Sequence, residues 1–288
     1  MTGVQTCALP ILTPALVVAQ DDLPAPQWHD AIERIRAAIA DGGLRKVVAA
    51  RARGVELARA IDPAAVVVEL GRRQPACTRF AIARGGATFV GASPERLIRK
   101  RGRAIDSEAL AGSCARSGDD VAAAAALLAS GKDRGEHRWV VEAIEAALAP
   151  RCAALAVPAV PVVRTLRQIL HLHTPITGEL DRDRHVLELV AALHPTPAVG
   201  GTPTADAVAW IARHEPARGW YAAPVGWFDG DGDGEFAVAI RSGLIAGARA
   251  TLYAGAGIVG ESDPEAELAE TELKLRALSG ALGLDDVR

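Results

Sequence analysis

The sequence predicts an α+β fold in which antiparallel sheets are covered by helices. Three features point there. Alternating, β-branched segments come in pairs around glycine turns, as in CTRFAIARGGATFVGAS and ERLIRKRGRAIDSEALAG. Segments with apolar residues three and four apart separate those pairs. No linker, internal repeat or disordered tract divides the chain, so a single domain over residues 12–288 is expected.

Trp28, Ile32, Ile35 and Ile39 define a first helix over Pro26–Asp41, stopped by Gly42-Gly43. RKVVAARARGVEL reads as a strand, and Asp62-Pro63 caps a second helix. Gly85-Gly86 turns a hairpin, and a second strand pair follows it. Ser117 to Leu148 is largely helical, with good helix formers at Ala122–Ala126. Strands recur between Leu155 and Leu180, and helices are expected near Arg184–Leu193 and Thr204–Arg213. WYAAPVGWFDGDGDGEFAVAIRSGLIAG is a strand–turn–strand unit and ATLYAGAGIV a further strand. The last helix runs from about Asp263 to Leu282. Within that unit, DGDGDG imitates a calcium loop, but Ile240 stands where a bidentate Glu is required, so a solvated hairpin turn is the better reading.

Composition excludes several function classes. The 288 residues are half hydrophobic and carry a net charge of −3, which gives no basic field for nucleic acid. No apolar run reaches the roughly 18–20 residues of a membrane span. Cys7, Cys77, Cys114 and Cys152 are scattered and read as reduced thiols of a cytoplasmic protein. Met1–Ile11 back-translates to a short-read sequencing adapter. It is therefore set aside as an artefactual leader, with the natural N-terminus lost.

Four stretches carry candidate chemistry. Gly255–Ile258, GAGI, reads as a tight turn that lets backbone approach a ligand ahead of a helix start, where anions are favoured. Glu267 and Glu270 lie three apart on the terminal helix, with Lys274 four further on and an apolar stripe of Leu268, Leu275, Leu278 and Leu282. Like charges there repel, so the choice is a solvated acidic face or a hard divalent cation. Glu136 in KDRGEH shares a helix face with Val140 and Ile144, and is either a surface residue or a carboxylate that needs a partner. His171 and His173 alternate on a strand and face one side, a weak zinc signal. Lys46 and Glu95 are unremarkable singly.

Together these pieces resemble the chorismate-utilising enzymes. KVVAAR, FVGASPERLI, SEALAGS, KDRGEH, HLHTPITG, HPTPAVGGTP, GWYAAPVGW, AVAIRS and YAGAGIVGESDPEAELAETELK occur in that family's order, over about Gln27 to Leu284. The resemblance implies a four-layer α/β/β/α chorismate-binding fold, like that of aminodeoxychorismate synthase, with its N-terminal part missing here. It implies Mg2+ held by Glu136 and Glu270 with Glu267 nearby, Lys46 activating the attacking water, and Glu95 as the acid facing the leaving hydroxyl. Tyr221, Arg241, Lys274 and the backbone of Gly255, Ala256 and Gly257 match groups that hold substrate carboxylates. His171 and Thr174 match the strand at the ring, and Ala111 and Gly112 the loop that leaves room for the nucleophile. Nearby cations such as Arg51 could lower the Lys46 pKa.

Lys46 and HPTPAVGGTP resemble the isochorismate synthases. The expected reaction is Mg2+-dependent conversion of chorismate to isochorismate, for menaquinone or siderophore synthesis, by a cytoplasmic monomer. Alternatives are a salicylate synthase or an inactive truncated fragment. Leu170, Gly131 and Gly200 depart from residues common in the family and remove no named catalytic group.

Overall fold

The computed structural model describes residues 16–116 and 118–284. The leader with Cys7 and the residue Ser117 lie outside the described residues. Along the chain run β1 (Leu16–Asp21), α1 (Ala25–Ala40), β2 (Lys46–Leu57), α2 (Pro63–Arg73), β3 (Thr78–Arg84), β4 (Ala87–Ser93), β5 (Arg96–Arg101) and β6 (Ala104–Ala115). Next come α3 (Asp120–Ala129), α4 (Gly131–Leu148), β7 (Cys152–Ala156), β8 (Val162–Thr165), β9 (Ile169–Leu180) and α5 (Val186–Leu193). The rest is β10 (Gly201–Thr202), α6 (Thr204–His214), β11 (Pro224–Phe228), β12 (Gly234–Val238), β13 (Ser242–Ala246), β14 (Arg249–Ile258) and α7 (Pro264–Ala281).

Two antiparallel sheets result. One has the order β1-β2-β14-β13-β4-β3, with β10 also on β2; the other runs β11-β12-β5-β6-β9-β7, with β8 also on β9. Phe80 and Phe89 of the first sheet pack against Val225 and Ala237 of the second and against Ala239 just after β12, which joins the inner faces. Leu275, Leu278 and Leu282 of α7 and Leu70 of α2 cover the first sheet's outer face, and Trp28 and Ile32 of α1 with Trp210 of α6 cover its end. Val140, Ile144 and Leu148 of α4 and Leu189 of α5 cover the second sheet. The layers are therefore helix, sheet, sheet, helix, as expected.

Local chemistry accounts for the boundaries. Asp62 and Asp263 cap α2 and α7 through side-chain bonds from the Ala64 and Ala266 N–H groups, each with Pro at the first helical position. Asp229 accepts from the Asp231 and Asp233 N–H groups, so DGDGDG is the β11–β12 hairpin turn. The described cysteines, Cys77, Cys114 and Cys152, are free. Among the described residues no helix is long and apolar enough to cross a membrane.

Three expectations need correction. The helical stretch after Ser117 is two helices, because Ser130 takes an extended ψ of 115° and caps α4 by accepting from the Asp133 N–H. Gly255–Ile258 is not a tight turn. The strand reading of ATLYAGAGIV holds instead: the segment is the end of β14, paired with Val47–Ala50 of β2. Leu16–Asp21 adds a strand that the sequence reading did not anticipate, fixed by pairing with β2.

Candidate functional site

A cleft opens between the sheets, where strand ends and connections meet the N-terminal halves of α4 and α7. Glu95, Ala111, Gly112, Glu136, His171, Tyr221, Arg241, Gly255, Gly257, Glu270 and Lys274 all line it. Eleven expected residues from eight separate segments thus converge on one space.

Lys46 opens β2 and is buried, 1% exposed. Its Nζ donates to Glu136 Oε1 at 2.7 Å. This pair is possible because Gly257 has no side chain: a Cβ there would stand 2.6 Å from both Glu136 Oε1 and Lys46 Cε. Gly255 plays the same part beside Tyr221, whose hydroxyl would lie 2.9 Å from an added Cβ. The two glycines alternate on one face of β14. Ala256 between them points to the other face, into the cluster of Trp28, Ile32 and Trp210, so it offers the cleft no side chain.

Glu95 lies between β4 and β5 and is 4% exposed. Burial, then the charge of Glu108, pushes its carboxyl up to about 8, against the opposing pull of Lys46, Arg241 and Lys274. It therefore holds a proton at neutral pH, as a general acid must. Arg241 stands in the left-handed region at φ 53°, and its Nη2 donates to His171 Nε2 at 3.3 Å. His171 is neutral, its pKa driven down to about 3 by burial and then by Arg241 and Lys274. Tyr221 stacks on Tyr253 at 5.4 Å and is kept protonated by burial, its pKa about 12. Neutral imidazole and phenol beside a guanidinium and an ammonium suit an anionic ligand.

Helix α7 brings the acidic face inward. Lys274 donates to the Gly255 carbonyl at 2.7 Å and to Glu270 Oε1 at 2.5 Å. Burial opposes charge on Glu270, but Lys274 and a hydrogen bond from Ser113 outweigh it and hold the carboxyl below its usual range. Glu267 is buried, accepts from Ser262 and Lys132, and is raised by burial and then by Glu270. The acidic face is thus not a solvated one.

Glu136, Glu267, Glu270 and Asp133 line an adjoining pocket that shares Glu136, Glu270, Ser113 and Gly257 with the cleft. Among the described residues no three His, Cys, Asp or Glu side chains stand close enough to hold a metal unaided. Mg2+ takes one or two carboxylates and completes its shell with waters and substrate oxygens, so Glu136 and Glu270 fit it as a pair. Both carboxylates are now balanced by single lysines, Lys46 and Lys274.

Thr174 is not brought to the cleft. It faces the opposite side of β9 from His171, and its hydroxyl bonds His137 Nε2 at 2.7 Å beneath α4. His173 does face His171's side, but it is held by Glu108 at 2.9 Å rather than by a second ligand. Arg51 serves elsewhere: it binds Asp21, Glu272 and Thr271 and ties β1 and β2 to α7. Gly112, at φ 74°, sits in a bulge of β6 that sets Ala111 and Ser113 on the cleft wall.

The sequence reading missed four residues. Asp133 lies one turn before Glu136, a spacing that could have revealed it. Lys132 and Ser113 flank named motif residues. Arg218 lines the cleft and clamps it by donating to Glu215 and to the Val48 and Val199 carbonyls; nothing local marks it.

The family described as chorismate binding enzyme matches residues 7–283. The chain is 45% identical to the salicylate biosynthesis isochorismate synthase of Pseudomonas aeruginosa, covering 93% of this chain and 59% of that protein. It is 42% identical to the isochorismate synthase MenF of Bacillus subtilis, covering 93% of this chain and 58% of that one. The chain thus spans under three fifths of these two relatives. Among solved structures, DhbC from Bacillus anthracis superposes with a TM-score of 0.90 at 39% identity, covering 94% of this chain and 75% of that one.

Proposed function

Because this chain belongs to the chorismate-binding enzyme family, we propose that it converts chorismate to isochorismate with Mg2+ as cofactor. The observation that carries this reading is the Lys46–Glu136 pair at one end of the cleft, whose other wall holds a protonated Glu95. A base and an acid with separated proton affinities are what adding water at one ring carbon and expelling the protonated hydroxyl, as water, from another require.

Arg241, Tyr221, Lys274 and the Gly255 backbone receive the substrate carboxylates through charge-assisted hydrogen bonds. Lys46, which acts as base in its neutral form, takes a proton from the water that adds at C2. Glu95 gives its proton to the hydroxyl that leaves C4. The apolar walls of the two sheets lower the local dielectric, which strengthens each contact. Glu136 and Glu270, with Glu267 beyond them, would hold Mg2+, which when bound draws electron density from the ring carboxylate. The product would feed menaquinone or siderophore synthesis, and the chain works as a cytoplasmic monomer on a small-molecule substrate.

Incubation with chorismate and Mg2+, coupled to lactate dehydrogenase and NADH, tests the assignment. Isochorismate should accumulate without NADH oxidation. NADH loss in the absence of a partner lyase reports pyruvate and points to salicylate synthesis instead. No turnover of chorismate refutes both.

A further inference from the structure

We propose that Glu108 is the fixed negative charge that keeps the proton on Glu95, the leaving-group acid of the proposed reaction. The inference rests on that functional reading, in which Glu108 has no part.

Glu108 sits on β6 two residues before Leu110, which lines the cleft, so both side chains share the inner face of the sheet. It is 8% exposed. Its carboxylate accepts four hydrogen bonds: from the Arg96 N–H at 2.8 Å, from Arg164 Nη1 to both oxygens at 2.9 and 3.0 Å, and from His173 Nε2 at 2.9 Å. A carboxyl surrounded only by donors is held as the anion. Burial opposes that charge, yet His173, the Arg96 N–H and Arg164 hold the group below its usual range.

The Arg96 N–H is the peptide directly after Glu95, so the anion is fastened to the backbone that carries the acid. Among the described residues no hydrogen bond reaches the Glu95 carboxyl oxygens. The groups acting on Glu95 come from every side: Lys46 from β2, Arg241 from the β12–β13 connection and Lys274 from α7 favour its ionised form, and Glu108 opposes them. Tyr221 is neutral. The thiol of Cys77, which also feels Arg164, Arg241 and Glu108, is raised by burial and stays uncharged at neutral pH. In the resting protein, where Lys46 is the ammonium paired with Glu136, these three cations would strip the Glu95 proton unless something answered them. Burial and Glu108 do so, and Glu108 is the only charged member of that pair.

The test follows the Glu95 carboxyl by 13C NMR on glutamate-labelled protein, assigned with Glu95→Gln, alongside the pH profile of chorismate conversion. In the wild-type chain Glu108 should titrate well before Glu95. Glu108→Gln should move the Glu95 midpoint to lower pH and carry the alkaline limb of kcat with it. Activity then falls about tenfold at pH 8 with little loss at pH 6. Glu108→Asp, which keeps the charge, should keep the limb. A uniform loss at every pH, with the Glu95 midpoint unmoved, means a purely structural role and overturns the proposal. If Glu108→Gln does not fold, the wild-type titration decides, since a Glu108 that still holds its proton when Glu95 ionises is equally fatal. Failure of the functional reading looks different: no chorismate conversion at any pH, with the NMR midpoints still linked.

Discussion

Replacing Gly257 with alanine probes the centre of the cleft with a single methyl group. The added Cβ would lie 2.6 Å from Glu136 Oε1 and from Lys46 Cε, and 3.1 Å from Lys46 Nζ. Ordinary van der Waals contact begins at 3.4 Å, so both side chains must retreat by roughly 0.8 Å. The backbone at Gly257 is outside the left-handed region, so alanine adds no strain of its own. The displaced atoms are the ends of flexible side chains, which keeps the stability cost within the about 1–3 kcal/mol of overpacking. The same displacement separates the Lys46–Glu136 pair from its working position, and misplacement on this scale costs about 100-fold in rate. Gly257→Ala should therefore melt within a few degrees of wild type while kcat for chorismate falls about 100-fold. Thermal unfolding and steady-state isochorismate formation measure the two quantities. Wild-type turnover in a folded Gly257→Ala protein would refute the placement of this pair at the reacting centre.

Other perturbations read other parts of the site. Lys46→Ala should cut turnover by about 10²–10⁴-fold while calorimetry still detects chorismate binding; normal turnover removes Lys46 from the role of base. Glu270→Ala should weaken Mg2+-dependent chorismate binding and leave any metal-independent binding intact, and unchanged titrations at varied Mg2+ would count against it. Glu95 has a raised pKa in the fold, about 8 against 4.5 for the free group. Its native form keeps a proton that the unfolded chain releases, so stability contributed by Glu95 is present below about pH 4.5 and is lost as pH rises to about 8. Wild type should therefore lose on the order of 1 kcal/mol per pH unit across that window relative to Glu95→Gln, as measured by urea unfolding; parallel stability curves contradict the burial of an ionisable acid there.

Much of the architecture was legible because its signals are local. Asp62-Pro63 and Asp263-Pro264 announce helix starts through capping chemistry, and Gly85-Gly86 marks a hairpin; all three do so in the structure. The failures come from effects that no local window contains. Gly255–Ile258 looks like a turn because of its glycines, but those glycines leave room for Tyr221, Glu136 and Lys46, which arrive from distant segments. Leu16–Asp21 becomes a strand only because β2 is there to pair with it. Thr174 was a different kind of miss. It lies three residues after His171 on one strand, and alternation alone sends the two side chains to opposite faces. The convergence of Glu136 and Glu270 on one cleft, which periodicity could not establish, rested on the family resemblance and is what the fold delivers.

The most direct test of the central claim is conversion of chorismate in 18O-enriched water, with Mg2+ present and the product examined by mass spectrometry and NMR. A cleft in which Lys46 activates solvent and Glu95 releases the C4 hydroxyl predicts isochorismate carrying one solvent oxygen at C2. Isochorismate without the label, or chorismate left untouched by the folded protein, would contradict it.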